Sequence, residues 1–166
     1  MFTIHIVPMF KDNYCFLLHD SQYNLTAAVD PGEPQAVISA LDKLGWQLDY
    51  IFCTHHHHDH IGGNQYLKDK FGCQIYGNKN DAKRIPAIDI HLETEEIFTF
   101  GNCDIEVMDL PGHTIGHIAY FIHSYNVLFC GDTLFSMGCG RLFEGTPNQM
   151  LNSLNKIKRL PDQTLI

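Results

Sequence analysis

A run of histidines interrupted by one aspartate is the most chemically distinctive feature of the sequence. Of the 11 histidines in the chain, five fall within residues 55–60, and Asp59 lies among them. Imidazole nitrogens and carboxylate oxygens are common ligands of zinc and other divalent metals. Unlike an affinity tag, the run is internal, contains an acid, and lies between an apolar segment and Gly62-Gly63. It therefore predicts a metal site.

The alternation of side chains along an extended segment suggests which histidines act together. In such a segment His55 and His57 share one side, whereas His56 and His58 face the other. A second frame, in which His56, His58 and His60 act together, also alternates. We prefer the first frame because it recruits Asp59 and His60 as the chain turns toward the next helix. The resulting pattern, H-x-H-x-D-H, supplies two adjacent metal sites.

Two metal ions need further ligands, which we expect at the ends of strands later in the chain. His113 follows an apolar run at residues 105–110, and Asp132 follows another at residues 127–130. An aspartate has two carboxylate oxygens and can bridge two cations. His113 and Asp132 are therefore the predicted remaining ligands.

The elements that position these residues follow from short apolar runs and helical periodicity. Helices are expected over residues 34–45, 63–71 and from 147 onward, the last with Met150, Leu151, Leu154 and Ile157 on a buried face. Strands grouped between helices indicate a layered α/β sandwich in one continuous unit. The predicted strands cover residues 2–7, 14–18, 25–29, 50–53, 74–76, 97–100, 105–110, 118–122 and 127–130.

Composition excludes several classes of partner. The net charge of −8 argues against a nucleic-acid groove, which requires a basic face. No apolar run is long enough to span a bilayer, and residues 1–14 lack the features of a signal peptide, so a cytoplasmic protein without a membrane partner is expected. The six cysteines form no C-x-x-C pair and are expected to be reduced and mostly buried.

Three motifs together resemble the metallo-β-lactamase superfamily: H-x-H-x-D-H at 55–60, P-G-H-T-x-G-H at 111–117 and C-G-D-T at 130–133. Within it, the sequences at 12–14, 29–32 and above all 138–146 (GCGRLFEGT) resemble the bacterial glyoxalase II family, the hydroxyacylglutathione hydrolases. The resemblance covers essentially all 166 residues. It implies an αββα metallo-β-lactamase sandwich with a pair of metal ions at the strand ends.

The resemblance also implies roles for individual residues. His55, His57, His113 and Asp132 would bind the first ion, and Asp59, His60 and Asp132 the second. Asp30 would orient a metal-bound histidine, while Arg141 and Phe143 would lie at the glutathione-binding face. The cofactors would be two divalent ions, zinc first, with iron or manganese as alternatives. Asp59 and Asp132 would hold a metal-bound hydroxide as the nucleophile.

The implied activity is hydrolysis of a small-molecule glutathione thioester. An S-(2-hydroxyacyl)glutathione such as S-D-lactoylglutathione would yield glutathione and a 2-hydroxy acid, within methylglyoxal detoxification, by a monomeric thioesterase. Two alternatives stay open. One is a sibling enzyme of the same fold, a persulfide dioxygenase or a lactonase; the other is an inactive, truncated metal-binding domain.

The truncation alternative rests on a departure from the family pattern. Family members continue into one more metal-binding histidine and then a helical C-terminal substrate-binding domain, whereas no histidine follows His123 here. We therefore expect residues 1–166 to be a metallo-β-lactamase-like catalytic domain that is incomplete at its C-terminus. His117 is left undecided between a site role and a structural one. The surface or strand edge is expected for the other histidines, His5, His19, His91 and His123.

Overall fold

A computed structural model describes residues 1–166, which form two units, residues 1–91 and 92–166. The first unit is built on a six-stranded sheet in which the strands follow chain order. Its strands are β1 (Phe2–Met9), β2 (Asn13–Asp20), β3 (Leu25–Val29), β4 (Tyr50–Phe52), β5 (Gln74–Asn78) and β6 (Ile90–Leu92). β1 to β3 pair antiparallel, whereas β3, β4 and β5 are parallel.

Helices make the crossovers that parallel strands require. α1 (Pro34–Leu44) connects β3 to β4, with a proline in its first turn and Gly45 in the left-handed conformation at its end. α2 (His58–Ile61) and α3 (Asn64–Phe71) connect β4 to β5. Val37 and Leu41 of α1 and Leu67 of α3 are fully buried in one core cluster with the sheet residues. The carboxyl ends of β3, β4 and β5 thereby share one edge of the sheet.

The second unit contains an antiparallel sheet of four strands in the order β10-β9-β8-β7. The strands are β7 (Ile97–Phe100), β8 (Cys103–Asp109), β9 (Ile118–Ile122) and β10 (Val127–Phe129), followed by a small hairpin of β11 (Leu134–Phe135) and β12 (Gly138–Cys139). α4 (Pro147–Ile157) begins with a capping box between Thr146 and Gln149. Ile157 of α4 belongs to one buried core cluster with Leu110, Phe121 and Leu128.

Most predicted elements are confirmed, with ends displaced by two residues or fewer. The prediction missed β6, β11 and β12, which have only two or three residues each, and the single-turn α2. The buried face predicted for α4 is wrong at Leu151, whose side chain is 57% exposed. At 100° per residue, Leu151 lies well outside the sector that Met150, Leu154 and Ile157 share.

Several smaller expectations can be compared with the structure directly. All six cysteines are free, and five are buried; Cys139 is exposed. His19 is buried rather than at the surface, and its ring stacks on Trp46. Leu165 forms a parallel bridge to Val127. None of the helices combines the length and apolar character that crossing a membrane would require.

Candidate metal centre

The histidine run leaves the sheet at the carboxyl end of β4, beside the end of β3. His55 and His57 lie together, with His55 Nε2 3.1 Å from His57 Nδ1. His56 faces elsewhere, because its Nδ1 lies 3.1 Å from an oxygen of the buried Asp81. His58 lines a separate cavity of about 320 Å³ with His56. Within residues 1–91 the alternation therefore groups His55 with His57, as the first frame predicts, and separates His56 and His58 from them.

Asp30 is the hub of the hydrogen bonds behind this run. Its carboxylate accepts hydrogen bonds from the Thr54 backbone N–H at 2.7 Å and from the Thr54 hydroxyl at 2.5 Å. It also accepts one from His60 Nδ1 at 3.0 Å. Asp30 is buried and has φ of 52°, in the left-handed region that aspartate adopts more readily than most residues. Three donors thus converge on one carboxylate.

These contacts assign the tautomers of two histidines. Since Asp30 accepts, His60 Nδ1 carries a proton, and in the neutral ring Nε2 is the nitrogen with the lone pair. The Thr54 hydroxyl donates its only proton to Asp30, so it accepts from His55 Nδ1 at 3.0 Å. The lone pair of His55 is then on Nε2, the atom that faces His57. Such a pair of nitrogens at 3.1 Å can bind either a proton or a cation, which is the donor chemistry of a metal site.

Asp30, His55 and His60 are themselves close enough to hold an ion, since their ligand atoms lie within 4.8 Å of one another. The two oxygens of Asp30 are nevertheless occupied by Thr54 and His60. We therefore interpret Asp30 as the acceptor that orients His60, which is a common arrangement behind metal-binding histidines.

Asp59 differs from its neighbours in exposure. Its side chain is 55% exposed, compared with 4% for His60. When the His60 ring is protonated, its Nε2–H faces Asp59 Oδ2 at 3.4 Å, and this hydrogen bond lowers the pKa of Asp59 to about 2; partial burial opposes the shift, and the charges of His60 and His57 add to it. Asp59 is therefore a carboxylate at any physiological pH, as a metal ligand must be.

The second unit places His113 and Asp132 next to each other. His113 Nε2 lies 3.4 Å from an Asp132 carboxylate oxygen. The other ring nitrogen of His113, Nδ1, donates to the backbone carbonyl of Arg141 at 2.7 Å, which leaves the lone pair on Nε2. Asp132 donates its backbone N–H to Nε2 of the fully buried His117 at 3.1 Å. His117 thus contacts Asp132 through the main chain of Asp132 and not through its carboxylate.

The segment 138–146 packs against His113 and Asp132. A Cβ atom on Gly140 would lie 1.8 Å from the carbonyl oxygen of Asp132 and 3.0 Å from His113 Nδ1, so only glycine fits there. The Phe143 ring contacts the His113 ring edge-to-face at a centroid distance of 5.3 Å. The side chains of Arg141 and Phe143 are exposed, and the Arg141 guanidinium lies 5.6 Å from the centroid of the Phe143 ring.

Sequence reasoning missed four contributors to these two sets. Thr54 and the Arg141 carbonyl fix histidine tautomers. Gly140, which has no Cβ, leaves room for the Asp132 carbonyl. Asn13 donates a hydrogen bond to Asp59. Thr54 directly precedes the histidine run and was the one detectable from its position. The others come from distant parts of the chain, and no spacing rule points to them.

Comparison with known proteins gives the class. A family model described as the metallo-beta-lactamase superfamily matches residues 26–166. The solved structure of the BLEG-1 B3 metallo-beta-lactamase superposes with a TM-score of 0.87 at 27% identity, covering 98% of this chain and 88% of that one. The predicted α/β fold of the metallo-β-lactamase type is thereby confirmed.

Two relatives narrow the class further. The hydroxyacylglutathione hydrolase of Methylococcus capsulatus is 46% identical over 166 residues, which are 100% of this chain and 65% of that protein. The hydroxyacylglutathione hydrolase of Pelagibacter ubique is 45% identical over 163 residues, 98% of this chain and 68% of that protein. The chain thus spans about two thirds of the length of these relatives. It belongs to the metallo-beta-lactamase superfamily and, within it, to the hydroxyacylglutathione hydrolase (glyoxalase II) family.

Proposed function

We propose that this chain carries the metal centre of a thioester hydrolase acting on S-(2-hydroxyacyl)glutathione, such as S-D-lactoylglutathione. The products are glutathione and a 2-hydroxy acid. The observation that carries the proposal is the similarity to hydrolases of that name along at least 98% of the chain. The chemistry of the donor sets agrees with it, because three histidines have a lone pair assigned to Nε2.

The proposed ligands are the six residues that the family resemblance implies. His55, His57, His113 and Asp132 bind one divalent ion, and Asp59, His60 and Asp132 bind a second. Zinc suits these nitrogen and oxygen donors, and iron and manganese are the alternatives. Divalent ions in such a centre supply Lewis acidity, which lowers the pKa of water toward neutrality and polarises a carbonyl group.

The residues of the chain prepare the centre. Asp30 and Thr54 fix the tautomers of His60 and His55, so in the neutral rings Nε2 is the nitrogen whose lone pair would bind a cation. Asp59 remains ionised because its pKa is held near 2. The leaving thiolate has a conjugate pKa of about 8.5 and needs little help from a general acid.

The substrate is held, in this proposal, by the exposed surface beside His113. Arg141 offers a guanidinium, which pairs well with the carboxylates of glutathione, and Phe143 offers an apolar face next to it. We further propose that the protein is a cytoplasmic monomer that takes part in methylglyoxal detoxification. Five buried, reduced cysteines and an exposed sixth fit a reducing compartment.

A substrate panel tests the function. Metal-loaded protein is assayed against S-D-lactoylglutathione, a lactone and a β-lactam. Metal-dependent thioester hydrolysis is expected, with a loss of at least about 100-fold in His55→Ala and none in His91→Ala, at an exposed position on β6. Cleavage of the lactone or the β-lactam without thioester hydrolysis would contradict the proposal.

A further inference from the structure

Asn13 makes two hydrogen bonds to Asp59, although 46 residues separate them in the chain. Its Nδ2 donates to Oδ2 of Asp59 at 3.0 Å and to the Asp59 backbone carbonyl at 3.2 Å. One amide group thus restrains both the main chain and the side chain of the same residue. The same nitrogen lies 3.4 Å from His60 Nε2.

The orientation of the Asn13 amide is fixed by a third contact. The backbone N–H of Tyr14 donates to Oδ1 of Asn13 at 2.7 Å, which identifies that atom as the oxygen. The NH₂ group must then face Asp59. A rotation of the amide would lose the bond from Tyr14 and place an oxygen against a carboxylate.

The turn that precedes Asn13 is itself hydrogen-bonded to the loop after β3. Phe10 lies in the turn between β1 and β2, and its N–H donates to Glu33 at 2.9 Å, while the Glu33 N–H contacts the sulfur of Met9 at 3.3 Å. Next to Glu33, Gly32 lies so close to residue 59 that a Cβ would be 1.8 Å from the Asp59 carbonyl oxygen. Asn13 and Asp59 are therefore held against the same loop.

Asp59 is the candidate ligand in the first unit that most needs such a restraint. Its side chain is 55% exposed and lies on the single-turn helix α2, whereas His55 and His60 are buried. A ligand fixed in place before binding loses less conformational entropy when the ion arrives.

We propose that Asn13 is a positioning residue for the metal centre, which holds the Asp59 carboxylate in the conformation that binds an ion. This proposal rests on the role of Asp59 as a metal ligand in the proposed function. Removal of a partner behind a metal ligand typically lowers metal affinity by about 10- to 100-fold. We expect loss of the Asn13 amide to lower the affinity for the ion bound by Asp59 within that range, and the affinity for the other ion by less.

The test compares four variants of the whole chain: Asn13→Ala, Asn13→Asp, Asp59→Ala and, as a matched control, Asn80→Ala at an exposed position in the same unit. Metal-free proteins are titrated with Co²⁺ and Zn²⁺, which gives stoichiometry, affinities and the Co²⁺ absorption spectrum. Thermal unfolding of the metal-free proteins monitors the fold separately.

We expect Asn13→Ala to weaken the binding of one of the two ions and to change the Co²⁺ spectrum, while Asn80→Ala does neither. Asn13→Asp should bind that ion more weakly still, because it replaces the donor by a second carboxylate. If Asp59→Ala loses an ion but Asn13→Ala keeps its affinities and spectrum, the positioning role is overturned and the proposed centre stands. If Asp59→Ala itself keeps both ions, the assignment of Asp59 falls, and the role of Asn13 falls with it.

Discussion

For three candidate ligand histidines, a single neighbouring hydrogen-bond acceptor fixes which ring nitrogen carries the proton. The Thr54 hydroxyl accepts from His55, the Asp30 carboxylate accepts from His60, and the Arg141 carbonyl accepts from His113. The candidate ligands stand out in the sequence because they are chemically rare residues, most of them in a dense cluster. Of their partners, Asp30 was implied by the family resemblance and Thr54 was detectable from its position, whereas a backbone carbonyl such as that of Arg141 carries no sequence signature.

Replacing Thr54 by valine tests the hydroxyl that connects Asp30 to His55. Thr54→Val keeps the shape but leaves His55 Nδ1 without its acceptor, so metal affinity should fall by about 10- to 100-fold. Stability should fall by about 1–2 kcal/mol. Both are measured by zinc titration and urea unfolding of the metal-free protein.

Thr26→Val is the matched control, because the buried Thr26 hydroxyl contacts the ring of another buried histidine, His19, at 3.0 Å. It should lose similar stability and keep its metal affinity. Equal metal affinity in Thr54→Val and Thr26→Val would contradict the role assigned to Thr54.

Gly140→Ala should disturb Asp132 and His113 together. The new Cβ would lie 1.8 Å from the Asp132 carbonyl oxygen, so the backbone must shift. We expect a loss of metal affinity of at least about 10-fold, measured by competition with a chelator. Gly138→Ala, where no atom lies within 4 Å of the added carbon, should behave as wild type. Wild-type metal affinity in Gly140→Ala would show that this close contact is not needed.

At the scale of elements, the parallel strands β3 and β4 explain why Asp30 and the histidine run meet. Both strands end at the same edge, and the Asp30 N–H donates to the Phe52 carbonyl at 3.1 Å. Periodicity and helix-ending residues such as Gly45 and Gly72 were sufficient to predict the long elements. β6, β11 and β12 are too short to show alternation, and their formation depends on tertiary pairing.

Asp89 connects α3 to the sheet and gives a pH-dependent prediction. Burial tends to raise the pKa of Asp89, but hydrogen bonds from Lys68 and the Ile75 N–H outweigh it and lower the pKa below its usual value. A carboxyl group with a lowered pKa stabilises the fold above its unfolded-state pKa of about 3.9, and this stabilisation is lost as the pH falls through the folded-state value.

Asp89→Asn should therefore lower the free energy of unfolding at pH 7 by less than about 1 kcal/mol, since the pair is partly exposed. The difference from wild type should shrink at pH 3.5. Urea unfolding of the metal-free proteins at both pH values measures it, with Asp162→Asn at an exposed position as the control. A difference that grows toward low pH would contradict the assignment.

At the scale of the whole molecule, the proposed ligands are spread along the chain. Residues 1–91 provide His55, His57, Asp59 and His60, and residues 92–166 provide His113 and Asp132. The family could be predicted from motifs, and the ligand set stays a prediction; the identity of the metal could not be predicted, because zinc, iron and manganese accept the same donors.

The central claim is that these six residues hold two divalent ions, and the number of ions bound per chain tests it most directly. Metal-free protein is saturated with zinc, freed of excess metal and analysed for its elements. We predict that wild type approaches two zinc ions per chain and that Asp132→Ala, which removes a ligand shared by both ions, retains fewer than one. An Asp132→Ala protein with the zinc content and affinity of wild type would contradict the account.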